Sequence, residues 1–495
     1  MASAESLGLT VLVLAVLVLL AALSNRVSER LRIPAPLLFL VAAAAASDVM
    51  PKLNERVPVS LVEQLVTVAL VVVLFDGGMG IGWRRFRGAV VPIVSLGVVG
   101  TFLTAGAVAL LGHLLCGLTW RTSLVLGAAL SPTDPAVVFS VLGRREITGR
   151  TGTVLEGESG ANDPVGIALM LALLGASGSI GQQAGQVAVT FVEQMVIGTA
   201  MGVAGGFALL RFMQKVTLPA AGLHPVRALA GAMAIYGAAT VAHGSGFLAV
   251  LVAGILIGDA AMPYRLEIRQ VSGSLASLAE IVVFVALGLT VGLRALGQDY
   301  AWLIGLVLAV LLAFVVRPLL VGPLLLPVRM RTGERVFIAW AGLKGAVPIL
   351  LGAFAITAAV PDAKRIYEII FVVVAFSVLV QGSTVSWAAA RLGVPMRTTP
   401  STPWTFGVRL PQEPEGADLR TIEPGSPADG TTLEDLVING NTWVSAALRN
   451  GRLLPMAPDT VVHAGDEILL LTGPTAGSSP SEHVPGDVDT GDARH

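Results

Sequence analysis

Apolar stretches long enough to cross roughly 30 Å of hydrocarbon, about 20 residues with tilt allowed, recur along the whole first four-fifths of the chain. They fall at 7–23, 33–47, 59–75, 88–112, 120–142, 153–176, 184–210, 224–242, 245–259, 273–293, 300–327, 335–358 and 366–390. The pattern predicts thirteen membrane helices, the second and ninth short and the seventh long. The loops between them alternate in charge. Loops after odd-numbered spans carry 17 basic residues, among them Arg84, Arg85, Arg144, Arg265 and Arg331, whereas loops after even-numbered spans carry 6. The positive-inside rule then places the N-terminus outside and the long C-terminal segment in the cytoplasm.

Composition agrees with the periodicity. Over 495 residues, 54% are hydrophobic and only 13% charged, too apolar for an ordinary soluble protein. The chain reads as an all-α polytopic membrane protein embedded in the lipid bilayer, with the plasma membrane as its expected location. Its first apolar stretch lacks a basic leading segment and is expected to be retained as a helix. The single cysteine, Cys116, excludes an intramolecular disulfide. The net charge of -1 conceals two regions of opposite sign. From Thr398 onward there are 5 basic and 14 acidic residues, and the preceding part holds 27 basic and 19 acidic ones. Basic cytoplasmic loops facing anionic lipid account for the excess in the first part, and neither region suggests nucleic acid.

Two spans are interrupted. Span 5 contains Ser131-Pro132-Thr133-Asp134-Pro135, and span 12 contains Gly342-Leu343-Lys344-Gly345-Ala346-Val347-Pro348. Proline removes a backbone donor and disfavours the helical state of the residue before it. If spans 1–6 and 8–13 are repeats, both interruptions are in the fifth member, and the two members run in opposite directions. Broken helices at corresponding positions of inverted repeats mark a transporter's midplane binding site. Span 6 supplies Glu156, Glu158, Ser159, Asn162 and Asp163 in the run LEGESGANDPVGIALM. Glu156, Ser159 and Asp163 share one helical face, and Glu158 with Asn162 forms the neighbouring one. A charge at this depth costs on the order of 2.5–3.5 kcal/mol by insertion scales, so it signals function.

Other ionisable residues lie at depth. Asp76, in Leu74-Phe75-Asp76-Gly77-Gly78, reads either as a cytoplasmic helix end or as a site residue. Arg317 precedes Pro318 and is expected to neutralise a buried acid such as Glu280. Trp83, Trp120 and Trp302 read as interface anchors. After Arg391, prolines 395, 400, 403, 411 and 414 mark a linker, 393–404. Short strand-like runs separated by turn residues over 405–473 suggest a small cytoplasmic α+β domain. The Gly/Ser/Asp-rich tail, 474–495, reads as disordered.

LFDGG on span 3, SPTDP on span 5, GESGANDP on span 6 and GLKGAVPI on span 12 together resemble the monovalent cation:proton antiporter-1 family, the NhaP/CvrA-like transporters, over the membrane domain, residues 1–392. The resemblance implies an NhaA-like antiporter fold with inverted repeats and two broken helices, and no enzyme activity and no cofactor. It implies a cation and proton site of Asp163, Asn162, Ser159, Thr133, Asp134 and Asp76, with Asp163, Ser159 and Thr133 holding the monovalent cation. It also implies a buried ion pair between Glu158 and the basic residue of span 12. That residue is arginine in many relatives and is Lys344 here, a point charge without arginine's bidentate fork. The GLKG form resembles the potassium/proton branch. Residues 405–473 resemble the TrkA-C (RCK C-terminal) domain, which implies a small-molecule, nucleotide-type ligand and favours potassium over sodium. A homodimer is implied as well.

Burial disfavours the charged form of a carboxylate and a bound cation favours it, so proton and cation compete for one acid. Competition plus alternating access is antiport. The residue beside Asp163 is Asn162, so the pair carries one exchangeable charge, and a one-for-one electroneutral cycle is expected. A sodium/proton antiporter of the same fold is the alternative. A ligand-gated cation channel fits less of the sequence, since no TVGYG-type filter is present. Gly157-Glu158-Ser159-Gly160 lacks the final glycine of a hydrolase nucleophile elbow, because Ala161 stands there.

Overall fold

In a computed structural model, residues 35–49, 58–142, 145–176, 180–216, 218–293, 296, 300–398, 417–422, 425–436, 442–449 and 452–472 are described. The chain divides into two compact units, 1–404 and 405–495. The span expected at 7–23 and the tail expected at 474–495 lie outside the described residues, as does the second half of the linker, 399–404.

The first unit is helical. Its elements in order are α1 Ala35–Val49, α2 Val59–Val94, α3 Thr101–Cys116, α4 Trp120–Leu130, α5 Ala136–Leu142, β1 Arg145–Ile147, α6 Arg150–Gly175, α7 Ile180–Lys215, α8 Leu223–Val241, α9 Gly246–Gly258 and α10 Arg265–Leu289. They continue as α11 Ala301–Leu311, α12 Arg317–Leu325, α13 Thr332–Trp340, α14 Ala346–Thr357, α15 Ala363–Phe376, α16 Ser383–Arg391 and β2 Met396–Thr398. Twelve of the thirteen expected spans overlap these helices, and the interrupted fifth and twelfth spans are each two helices, α4 with α5 and α13 with α14. Five helical runs among the described residues are long and apolar enough to cross a membrane: Val59–Cys116, Gln182–Lys215, Arg265–Leu289, Ala301–Leu325 and Ala363–Arg391. The α6 helix is long enough at 26 residues but carries Glu156, Glu158, Asn162 and Asp163, which dilute its hydropathy.

The run Val59–Cys116 has 58 residues, which as one straight helix would be about 87 Å long, nearly three bilayer cores. It does not stay straight. Gly82 (φ 66°, ψ 161°) and Ala89 (φ -127°, ψ 17°) leave helical geometry inside it, the first between the expected spans 3 and 4 and the second at the start of span 4. Gly82 is required there twice over, by its left-handed φ and because a Cβ would sit 2.6 Å from the Asp259 carboxylate. Asp259 instead accepts from the backbone N–H of Arg84 at 2.7 Å.

Among the described residues, three π-helical turns lie within longer helical runs: Ser95–Gly100 before α3, Leu312–Val316 before α12, and Ser377–Gly382 before α16. Small residues let helices touch. At the α2–α9 crossing, a Cβ on Gly78 would lie 2.7 Å from the carbonyl oxygen of Leu251, and one on Gly254 would lie 2.6 Å from that of Phe75. Packing, with no hydrophobic drive between helices in lipid, holds such a crossing together. Trp83, Trp120 and Trp302 are each about half exposed, consistent with anchoring at interfaces. A short antiparallel ladder joins β1 to β2, with Glu146 opposite Arg397 and Thr148 N–H donating to the Pro395 carbonyl at 3.0 Å.

The described part of the second unit is a four-stranded antiparallel sheet in the order β3-β6-β4-β5, from Ala417–Thr421, Glu467–Thr472, Thr442–Arg449 and Arg452–Leu453. The sequence suggested α+β; no helix is among the described residues of this unit, and the Thr432–Leu436 run forms one bridge, Thr432 to Val461, with turns. Ile422, Ala447, Val462, Ile468 and Leu470 form its core. Arg449 grips Asp466 through Nε at 2.9 Å and a terminal nitrogen at 2.8 Å.

Two outcomes are expected. Gly254→Val forces α2 and α9 apart and should cost about 1–3 kcal/mol of overpacking, read as a lower midpoint of thermal unfolding in detergent. The Arg449 hydrogen bonds hold the Asp466 carboxylate below its ordinary value of 3.8. A depressed folded-state value stabilises the sheet above the ordinary value, and this is lost as pH falls through the folded one. Asp466→Asn should therefore weaken hydrogen-exchange protection of β6 at neutral pH and remove part of its acid dependence below about pH 4.

Candidate functional site

The two interruptions meet. The backbone N–H of Asp134 donates to the carbonyl of Leu343 at 2.8 Å, so the extended segment 131–135 between α4 and α5 crosses the extended segment 341–345 between α13 and α14. Four half-helix ends therefore converge, and each carries unpaired backbone groups with a partial charge. The side chains at the crossing complement them. Asp134 sits at the positive N-terminal ends, accepting from the backbone N–H of Ala136 at 2.8 Å and from that of Ala346. Lys344 sits at the negative C-terminal end of α4, its Nζ donating to the carbonyls of Ser131 at 3.1 Å and Pro132 at 3.0 Å. Gly345 has no room for a Cβ because Asp134 occupies that space.

The α6 helix passes beside this crossing. Gly166 allows it, since a Cβ there would meet Pro132 Cγ at 2.5 Å. Asn162 reads both faces of Thr133: its Nδ2 donates to Thr133 Oγ1 at 2.7 Å, and its Oδ1 accepts the Thr133 N–H at 3.3 Å. Ser159, Asn162, Asp163 and Thr133 are all buried, at 5, 2, 8 and 4% exposure. Asp163 lies within electrostatic reach of both Asp134 and Lys344. One of its oxygens, Oδ1, is buried with no hydrogen-bond partner. The structure thus gathers Thr133, Asp134, Asn162, Asp163 and Lys344 in one place, with buried Ser159 one turn before Asp163 on α6. Asp76 is half-buried on α2 and faces Gly273 of α10; no hydrogen bond ties it to that cluster.

The ion pairs differ from expectation. Glu158 pairs with Arg317 at 2.8 Å, both buried, and not with Lys344. Arg317 was expected to neutralise Glu280. Its fork accounts for the choice: Nε donates to the Ala339 carbonyl at 3.0 Å, and one terminal nitrogen serves both Glu158 and the Ile338 carbonyl at 3.3 Å. A planar guanidinium can satisfy the frayed end of α13 and a carboxylate at once, which an ammonium cannot. Lys344 is already committed to the carbonyls that end α4. Glu280, partly buried on α10, keeps one oxygen buried and unpartnered. Gly342 lies so close to the Arg317 guanidinium that no Cβ fits.

Sequence reading missed Ser377 and Gln381, two buried polar side chains of the last span at 2 and 3% exposure. Their signal was available as polar residues four apart in an apolar stretch. With Thr104, Arg317, Gly342 and Lys344 they line a cavity of about 10 Å³. Glu156 lies apart from the crossing and lines a larger cavity of about 480 Å³ with Arg85, Arg150 and Arg397.

The chain matches the family model described as "Sodium/hydrogen exchanger, transmembrane" over residues 14–391. It is 33% identical over 472 residues to the K(+)/H(+) antiporter NhaP of Alkalimonas amylolytica, covering 94% of this chain and 82% of that one. It is 27% identical over 393 residues to the low-affinity Na(+)/H(+) antiporter NhaS1 of Synechocystis, covering 75% and 72% respectively. Its fold is similar to that of the sodium proton antiporter MjNhaP1 from Methanocaldococcus jannaschii, with a TM-score of 0.65 at 20% identity over 78% of this chain and 98% of that one. The chain belongs to the sodium/hydrogen exchanger family. It is a multi-pass membrane antiporter of cations and protons, not an enzyme, and the ions are its substrates.

Removing Arg317 strands Glu158 as an uncompensated buried charge. Arg317→Ala should cost about 3–5 kcal/mol, seen as a large drop in the detergent melting temperature. Exchanging both partners, Arg317→Gln with Glu158→Gln, should restore part of that loss in the same melt.

Proposed function

We propose that the exchange runs at Asp163, with Ser159 and Thr133 as the other cation ligands, Asn162 as their brace and Asp134 closing the crossing beside them. The observation that carries this is the buried, unpartnered Oδ1 of Asp163 at the meeting of α6 with a broken span. An oxygen left unpaired there is costly unless something visits it. Two visitors fit: a proton, which neutralises it, and a desolvated monovalent cation, which the carboxylate and nearby hydroxyl oxygens can hold. Both cannot be bound at once, and this exclusivity couples the two fluxes. Asn162 contributes an amide where a second carboxylate would add charge, so one cation exchanges for one proton and the cycle moves no net charge. Asp76, half-buried on α2, serves the approach to the site.

Potassium is the cation we favour. Relatives named as K(+)/H(+) antiporters match over 94% of this chain at 31–33% identity, a longer and closer match than to the Na(+)/H(+) antiporter NhaS1. The basic loops support a cytoplasmic C-terminus, and the paired breaks support an inverted repeat. The likeness of residues 405–473 to a ligand-gated regulatory domain, and the implied homodimer, complete this reading.

Purified protein in liposomes, challenged with potassium, sodium, lithium or rubidium while internal pH is followed, tests it. The strongest proton movement is expected with potassium, and an imposed membrane potential alone should drive none. Asp163→Asn should fold and yet reduce exchange to the protein-free background; normal exchange by that variant would sink the assignment.

A further inference from the structure

The interruption in the twelfth span is held from the thirteenth. Where α13 ends, the carbonyls of Ile338, Ala339 and Trp340 lose their helical partners, and so does the N–H of Lys344, whereas Ala341 N–H still reaches Phe337 O at 2.7 Å and Leu343 N–H turns to Ala341 O at 2.9 Å. In hydrocarbon such groups have no water to turn to. Arg317 serves the first two carbonyls. The third is served by Gln381, whose Nε2 donates to Trp340 O at 3.0 Å. On the far side of the interruption, the backbone N–H of Lys344 donates to Ser377 Oγ at 2.9 Å. Ser377 Oγ then donates to Gln381 Oε1 at 2.6 Å. The amide orientation and the hydroxyl proton are thereby both fixed, and the chain of bonds runs one way, from Lys344 N–H through Ser377 and Gln381 to Trp340 O.

Geometry gives this relay a particular target. Both side chains project from one π-helical turn, Ser377–Gly382, and π turns inside membrane helices recur at functional positions. The bond from Lys344 N–H pins the Cα from which the ammonium hangs, and that ammonium seats on Ser131 O and Pro132 O across the crossing. The charged groups within reach of Lys344 are Glu158 and Asp163 on α6 and Arg317 at the start of α12. A shift of the Lys344 backbone therefore moves a charge at the end of α4, next to Thr133.

We propose that Ser377 and Gln381 are positioning residues for cation exchange, setting the place of Lys344 at the crossing by a relay that spans both sides of the interrupted helix. This rests on the assignment of the exchange site to Asp163. The relay touches no transported ion and acts through Lys344 alone. Loss of one of its bonds should therefore loosen the ion site without dismantling the fold.

The test compares Ser377→Ala, Ser377→Thr, Gln381→Leu and Asp163→Asn in the full-length protein in liposomes, measuring apparent KM and maximal rate for each cation that the wild type transports. Ser377→Ala and Gln381→Leu are expected to raise KM by about two- to tenfold, the worth of one hydrogen bond, with a maximal rate that falls less. Ser377→Thr, which keeps the hydroxyl, should restore the wild-type KM. If Asp163→Asn is silent while Ser377→Ala and Gln381→Leu keep the wild-type KM, the relay proposal is overturned and the site assignment stands. If Asp163→Asn exchanges normally, the site assignment falls, and the relay's role falls with it. Should Ser377→Ala fail to fold, Ser377→Cys carries the same comparison, and an unchanged KM in that variant overturns the proposal.

Discussion

In hydrocarbon every backbone polar group must find a partner inside the protein, and two interrupted helices crossing each other put that rule under strain. The rest of the membrane unit can be understood as the means of satisfying it. Asp134 and Lys344 complement the half-helix ends, the Asp134–Leu343 bond joins the two extended segments, and Arg317, Ser377 and Gln381 take up what is left at the end of α13. A segment freed from helical hydrogen bonding is what lets oxygens point at a small cation. The cost of the crossing and its usefulness have the same origin.

The two cations at this centre divide the work by chemistry. Arg317 is rooted, with three acceptors arranged around a planar fork, one of them the Glu158 carboxylate. Lys344 hangs on a flexible stem with only two carbonyls as acceptors. Three π turns lie along this same region. Gly97 of the first abuts Ala161 beside Glu158, the second ends immediately before Arg317, and the third opens on Ser377. Each π turn thus holds or adjoins a small or polar residue that packs on α6 or on the interrupted twelfth span.

Much of this was legible in the sequence, because membrane helices announce themselves by length and apolarity, and because clustered Pro and Gly in mid-span break the helical ladder that hydrocarbon otherwise enforces. The interruptions, the span 6 acids and the alternation of loop charge all came from such signals. The pairing of Glu158 was not legible: composition can say that a buried acid needs a base, but not which of two bases lies nearer. Choosing Arg317 over Lys344 depends on where the carbonyls of Ser131, Pro132 and Ala339 fall in space. Ser377 and Gln381 were overlooked for a related reason. A neutral polar residue costs little by composition, so the spacing of these two, four apart in an apolar stretch, was a weaker signal than the acids of span 6, and the backbone groups they serve are what give it weight. The position of Asp76 beside α10 likewise depends on helix packing that no local pattern encodes.

The β1–β2 ladder closes a mechanical loop in the molecule. Its strands are three residues each; one comes after the last membrane helix and the other immediately precedes α6, the helix of Glu158, Ser159, Asn162 and Asp163. Residues far apart in the membrane unit's sequence are thus laced together at a point two residues from where α6 begins. Tension along the chain beyond Thr398 is borne first by that lacing, and so is delivered to the junction between α5, which ends at Leu142, and α6, which begins at Arg150.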